Sequence, residues 1–194
     1  MTTKIVICSL LAVFLLTVSP AQAQQPTKVL RIGFLGGSGS AESARTEAFR
    51  QGLRELGYVE GKNIIIELRS AEGKPDRERA LAAELVRLKV DVIVTVGSRG
   101  TRAAKEATAT IPIVMAQDPD PVGNGFVASL ARPGGNITGL SALAPELSGK
   151  RMELLKEMIP KLSRLTVFGN SNNPGNAQAL KETERAAKAF GVQL

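Results

Sequence analysis

Histidine and tryptophan are absent from this 194-residue chain, which holds one tyrosine and one cysteine. Without imidazole there is no Ser–His activation of a nucleophile and no histidine metal ligand. Carboxylate, Lys or Ser chemistry remains open to an enzyme, but the common hydrolase designs are gone. Aromatic residues make up 4% of the chain, too few for a platform on which nucleic-acid bases stack. The formal charge of +7 does not restore that reading. Lys and Arg alternate with Glu, as in Glu47/Arg50/Arg54/Glu55 and Arg151/Glu153/Lys156/Glu157, which describes solvated helix faces and not a stripe of one sign. No nucleic-acid partner, cofactor or metal is expected.

The cysteine, Cys8, lies in an apolar run over residues 5–18 that follows Lys4 and precedes Ala21-Gln22-Ala23. A basic start, a short apolar run and a small-x-small site describe a cleaved export signal over residues 1–23. The run is shorter than the roughly 20 residues of a membrane helix. Cleavage removes the only thiol, so an exported chain of this kind is stabilised by its core and not by disulfides.

Beyond residue 23 the pattern alternates. Residues 29–35 read as a buried strand, broken by Gly36-Gly37-Ser38-Gly39-Ser40, and residues 41–56 carry a helical stripe through Ala48, Phe49 and Leu53. A strand over 63–68 follows, then a helix opened by Pro75 with Leu81, Leu85 and Leu88 on its buried side. Residues 90–96 are the most apolar strand; Gly97-Ser98-Arg99-Gly100-Thr101 reads as a loop before a short helix ending near Thr108. Strands over 111–115 and 137–140 flank a segment dense in Asp, Pro and Gly. Apolar strands alternating with helices predict an α/β fold with a doubly wound parallel sheet in a first lobe, residues 24–140. Residues 141–145 read as a hinge crossover. Residues 146–194, with helices over 145–159 and from Pro174 and short strands at 164–168 and 192–194, read as an incomplete second α/β lobe.

In such a sheet the loops leaving the strand C-termini form the ligand crevice. The turn at 36–40 fails the dinucleotide fingerprint, having Glu42 where a third glycine belongs, and lacks the Lys of a P-loop. It offers Ser38 and Ser40 as ligand hydroxyls, or Ser40 as a helix cap. Ser98, Arg99 and Thr101 suit an anionic group at a helix start, or capping with Arg99 on the surface. Asp118 and Asp120 can pair with a ligand ammonium or simply cap their Pro-rich turn. Ser141 in the hinge, and Asn170 and Asn172 on the crevice-side loop of the second lobe, complete the candidate contacts.

Gly-Phe-Val-Ala-Ser-Leu-Ala-Arg-Pro-Gly-Gly-Asn-Ile-Thr-Gly at 125–139, Leu-Ser-Gly-Lys-Arg-Met-Glu-Leu-Leu-Lys-Glu at 147–157 and Phe-Arg-Gln-Gly-Leu-Arg-Glu-Leu-Gly-Tyr-Val-Glu-Gly-Lys-Asn at 49–63 resemble the ABC-transporter substrate-binding proteins of the type I periplasmic-binding-protein fold. The subgroup includes binders of tryptophan and other aromatic amino acids. The resemblance implies a monomeric two-lobed clamp in the periplasm that closes on a small solute and presents it to an ABC permease, without catalysis. It also implies a ligand carboxylate at the loop holding Ser98. Two departures stand out: Asp118-Pro119-Asp120-Pro121 where the family has a single Asp-Pro, and a second lobe that family members carry further. A ligand-sensing receptor with the same clamp, or an α/β enzyme acting on a small anionic substrate, are the alternatives.

Overall fold

The protein is described by a computed structural model covering residues 29–36, 40–169 and 174–194. Five strands form one parallel sheet in the order β2-β1-β3-β4-β5: β1 is Leu30–Gly36, β2 Ile64–Ser70, β3 Val92–Val96, β4 Ile113–Asp118 and β5 Ile137–Ser141. Helix α1 (Ser40–Glu55) joins β1 to β2, α2 (Pro75–Arg87) joins β2 to β3, and α3 (Gly97–Ala107) joins β3 to β4. The order reverses between β1 and β3, the place where open α/β sheets hold ligands.

Strand alternation sorts the core into two layers. Ile32, Phe34, Ile64 and Val94 face α1, where Phe49 and Leu53 pack on them. The Phe34 and Phe49 rings lie 5.2 Å apart between centroids. On the opposite face Leu35, Ile93, Ile113 and Met115 meet Leu85 of α2 and Ala103 and Ala104 of α3. Small alanines on α3 let that helix sit close to the sheet. At Gly33 a side chain would meet Leu85 at 3.0 Å, so α2 also rides directly on β1.

Helices α2 and α3 are cross-linked by two ion pairs, Arg99–Glu78 at 3.5 Å and Arg79–Glu106 at 3.2 Å. Glu78 is 7% exposed at its side chain, and burial raises its carboxyl above the ordinary range while the Arg99 charge pulls it back only in part. A raised folded-state value means the native protein holds that proton to higher pH than the unfolded chain. The associated stability is present below the unfolded value of about 4.5 and is lost as pH rises through the folded one. Urea unfolding of the wild type and of Glu78→Gln is expected to show this directly: their stability difference shifts against the wild type as pH rises from 4 to 7, whereas a pH-independent difference would show that burial does not govern this carboxyl.

A short second unit follows β5. Helix α4 (Ser148–Met158) and helix α5 (Pro174–Ala189) pack through Met152, Ala186 and Ala187, with Val192 beneath. The strands expected at 164–168 and 192–194 reduce to one parallel bridge between Arg164 and Gln193, in which Leu165 N–H donates to Gln193 O at 2.8 Å and Gln193 N–H to Ser163 O at 2.9 Å. A lone pair of neighbours supports no longer ladder. Phe168, 93% exposed, belongs to this thin unit. The helix expected from 145 begins at Ser148, after a turn at 144–147.

Candidate functional site

The C-terminal ends of β3 and β4 meet at a side-chain cluster that alternation alone would not assemble. In β3 and β4, Val94 pairs with Val114 and Thr95 with Met115, but Val96 then pairs with Gln117. The register also shifts between β4 and β5 over Met115 to Asp118. One extra residue in β4 reverses the phase of the side chains beyond it. Gln117 therefore shares the α1 face with Val96, and Asp118 turns to the α3 face.

There Asp118 is fully buried. Its Oδ1 accepts from the Asp120 N–H at 2.9 Å and from Asn124 Nδ2 at 3.0 Å, and Asn124 Nδ2 also donates to Ser98 Oγ at 3.1 Å. The second carboxylate oxygen, Oδ2, is buried with no hydrogen-bond partner among the described residues. Asp118 also holds the crossover through its backbone: Ala142 N–H donates to Asp118 O at 2.8 Å, and Ala144 N–H to Pro119 O at 3.0 Å. Residues 141–144 thus continue alongside the end of β4, and one aspartate ties the crossover, the 119–127 turn and the start of α3.

That turn is held from below by α3. Arg102 donates to Asn124 O at 3.4 Å and lies 5.2 Å over the centre of the Phe126 ring; Lys105 donates to Gly125 O. Asp120 Oδ1 accepts from the Gly123 N–H at 2.8 Å, so this carboxylate caps its own turn. On the α1 side of the bulge, Phe34, Phe49, Val96, Ala48 and Ala116, together with the polar Arg45 and Gln117, line a cavity of about 290 Å³.

The expected site residues separate into groups. Ser98 and Asp118 come together through their shared hydrogen bonds to Asn124 Nδ2. Asp118 and Asp120, read either as partners of a ligand ammonium or as caps of their turn, are 0% and 9% exposed and accept from the N–H groups of Asp120 and Gly123, the capping arrangement. The segment 97–101, expected as a loop, is the first turn of α3, opened by Gly97 at φ 80°. Thr101 consequently lies inside that helix, fully buried, sharing a hydrogen bond with Thr95 at 2.8 Å and donating to Gly97 O at 3.1 Å; it does not reach a crevice. Arg99 leans toward α2 and Glu78. Ser141 Oγ accepts from Leu143 N–H at 3.2 Å within the crossover, where Leu143 takes φ 47°. Ser40 is the first residue of α1; Ser38, Asn170 and Asn172 lie outside the described residues. Asn124, the centre of the cluster, escaped sequence reasoning because an Asn in a Pro/Gly-rich turn reads as turn chemistry. Among the described residues no group of acidic side chains is placed to hold a metal, and no helix is long and apolar enough to cross a membrane.

A doubly wound parallel α/β lobe of this kind, left by a crossover into two further helices, is part of the type I periplasmic-binding-protein fold. Residues 37–194 match the ABC transporter substrate binding protein family, and the chain belongs to that family. It is similar to a tyrosine-binding protein of Clostridioides difficile, 34% identical over 126 residues, covering 65% of this chain and 36% of that protein. Among solved structures it resembles a conserved domain protein of Vibrio cholerae, with a TM-score of 0.81 and 31% identity over 86% of this chain and 56% of that one. It also resembles an ABC domain of Streptococcus pneumonia in complex with L-Trp, with a TM-score of 0.78 and 25% identity over 84% and 55% of the two chains. The chain spans 36–56% of the length of these relatives.

Proposed function

We propose that this protein is the solute-binding component of an ABC importer, that it works outside the cytoplasmic membrane after loss of residues 1–23, and that its solute is an amino acid with a large apolar or aromatic side chain. The observation that carries this reading is the joining of Ser98, Asn124 and Asp118 at the end of the sheet where the crossover leaves. A polar anchor at the start of α3, whose helix dipole favours an anion, suits a carboxylate. The cavity beside Phe34 and Phe49 suits an apolar group. The tyrosine-binding relative and the relative in complex with L-Trp support the ligand class.

The crossover supplies the mechanical element. Residues 141–145 join the sheet to α4, and Ser148 Oγ and Arg151 Nη1 both donate to Ala144 O at 3.3 Å, so α4 moves with the end of the crossover. Closure turns on the few residues between these bonds and those from Asp118 and Pro119. A solute held between the units is then offered to a permease as a closed surface. Without catalysis, function rests on affinity and on the difference between open and closed forms.

Titration calorimetry of residues 24–194 with L-tyrosine, L-tryptophan and L-leucine tests the ligand class. Saturable heat with at least one of them, strongest for the aromatic pair, is expected. No saturable heat with any of the three overturns the reading.

A further inference from the structure

Asn124 is the one asparagine of the chain that is followed by glycine. That step is chemically labile in water, because a glycine nitrogen with no Cβ beside it approaches the preceding side chain closely. The Gly125 backbone nitrogen attacks Asn124 Cγ, the N–Cγ bond forms and the Cγ–Nδ2 bond breaks. Nδ2 leaves as ammonia with the proton given up by Gly125. Water then opens the resulting succinimide at either carbonyl, which leaves aspartate or isoaspartate at position 124.

In the fold both ends of that reaction are held. The Gly125 N–H donates to Val122 O at 2.9 Å, and the Asn124 N–H donates to Asp120 O at 2.9 Å. Arg102 and Lys105 of α3 donate to the carbonyls of Asn124 and Gly125. A carboxylate oxygen only accepts, so the side-chain group 3.0 Å from Asp118 Oδ1 is the NH₂, and the same group meets Ser98 Oγ at 3.1 Å. Gly125 is exposed, whereas Asp118 and Ser98 are buried. Solvent therefore reaches the nucleophile while the leaving group is anchored in the interior, where each bond counts for more than in water. Turning Cγ toward the Gly125 nitrogen requires both anchors to break.

We propose that Asn124–Gly125 is a deamidation site kept closed by Asp118 and Ser98, reacting only when the 119–127 turn opens away from them. The modification runs one way. It replaces a donor by a carboxylate that faces the carboxylate of Asp118, and two like charges are not accommodated in one buried place. The turn is thereby released from the residue that also holds Ala142 of the crossover. This site goes beyond the solute-binding role and does not depend on a ligand.

The test holds the purified full chain at mildly alkaline pH and follows the exchange of NH for O at residue 124 by peptide mass spectrometry. The native wild type is expected to react about a hundredfold more slowly than the same chain in urea, the protection given by a local opening equilibrium. Asp118→Ala removes one anchor and is expected to react about tenfold faster than the wild type. Ser98→Ala is expected to react about threefold faster and covers the case in which Asp118→Ala does not fold. Asp118→Asn keeps an acceptor for the amide and is expected to stay near the wild-type rate. Leu85→Ala loses core packing under α2 without touching the cluster, and it too is expected to stay near the wild-type rate because the opening is local. Equal rates for the native chain and the chain in urea overturn the inference, as does an absence of reaction at 124 in urea. Unchanged rates in both Asp118→Ala and Ser98→Ala, or an acceleration in Leu85→Ala as large as in Asp118→Ala, also overturn it.

Discussion

Gly139→Ala is expected to destabilise the protein by about 3 kcal/mol or more, combining the strain of a left-handed residue with a backbone clash. Gly139 sits in β5 opposite Met115 of β4 at φ 143°, a conformation that side chains rarely adopt. A Cβ there would lie 2.2 Å from Met115 O and 2.6 Å from Met115 N, both backbone atoms that cannot swing aside. Relief requires β5 to move off β4, and β5 leads directly into the crossover. The loss corresponds to a fall in Tm of about 6–12 °C for a chain of this size. Thr138→Ser, one residue earlier and exposed, is the control and is expected to change stability by about 0.5 kcal/mol or less. Thermal unfolding followed by circular dichroism decides the matter. A Gly139→Ala protein melting within about 2 °C of the wild type would mean that β5 does not press on Met115 as described.

Asp118→Ala carries the second large effect. It strips the acceptor from the Asp120 N–H and from the Asn124 amide, and unsatisfied buried donors cost about 1–3 kcal/mol each. A total of about 2–4 kcal/mol is expected, since Asn124 is only half-buried and can recover part of its hydration. Asp118→Asn keeps an oxygen for both donors and removes a buried charge whose Oδ2 has no partner among the described residues. That variant is expected to cost about 1 kcal/mol or less. Urea denaturation of the two variants separates the explanations. Equal damage from both would assign the effect to the charge, and no damage from Asp118→Ala would remove Asp118 from its place at the junction of turn, helix and crossover.

Much of the lobe was legible in the residues. Apolar runs such as Val-Ile-Val-Thr-Val at 92–96 are what a strand buried on both faces demands, and the stripe through Phe49 and Leu53 needs a sheet to cover it. Parallel pairing and the reversal between β1 and β3 follow once strands and helices alternate. The positions of Ser98 and Asp118 at strand ends follow from the same pattern. The start of α3 was misplaced because Gly97 and Gly100 read as loop residues. In the fold Gly97 uses its positive φ to enter the helix immediately, and a Cβ added at Gly100 would lie 3.6 Å from Leu35 O. Thr101, a candidate hydroxyl in a loop, became an interior hydroxyl paired with Thr95 for that reason.

Periodicity and turn chemistry are local, so the chain's own pattern was sufficient for the order of strands and helices, for the strand ends at which Ser98 and Asp118 lie, and for the segment that leaves β5. The direction of Asp118 was not local. It depends on one extra residue in β4, accommodated only because β3 and β5 shift register on either side of it, and a bulge of that kind leaves no mark in a run of apolar and polar letters. Asn124 likewise acquires its place between a carboxylate and a hydroxyl from distances across three segments. Contacts among residues far apart in the chain are set by packing, and packing exists only in the folded molecule.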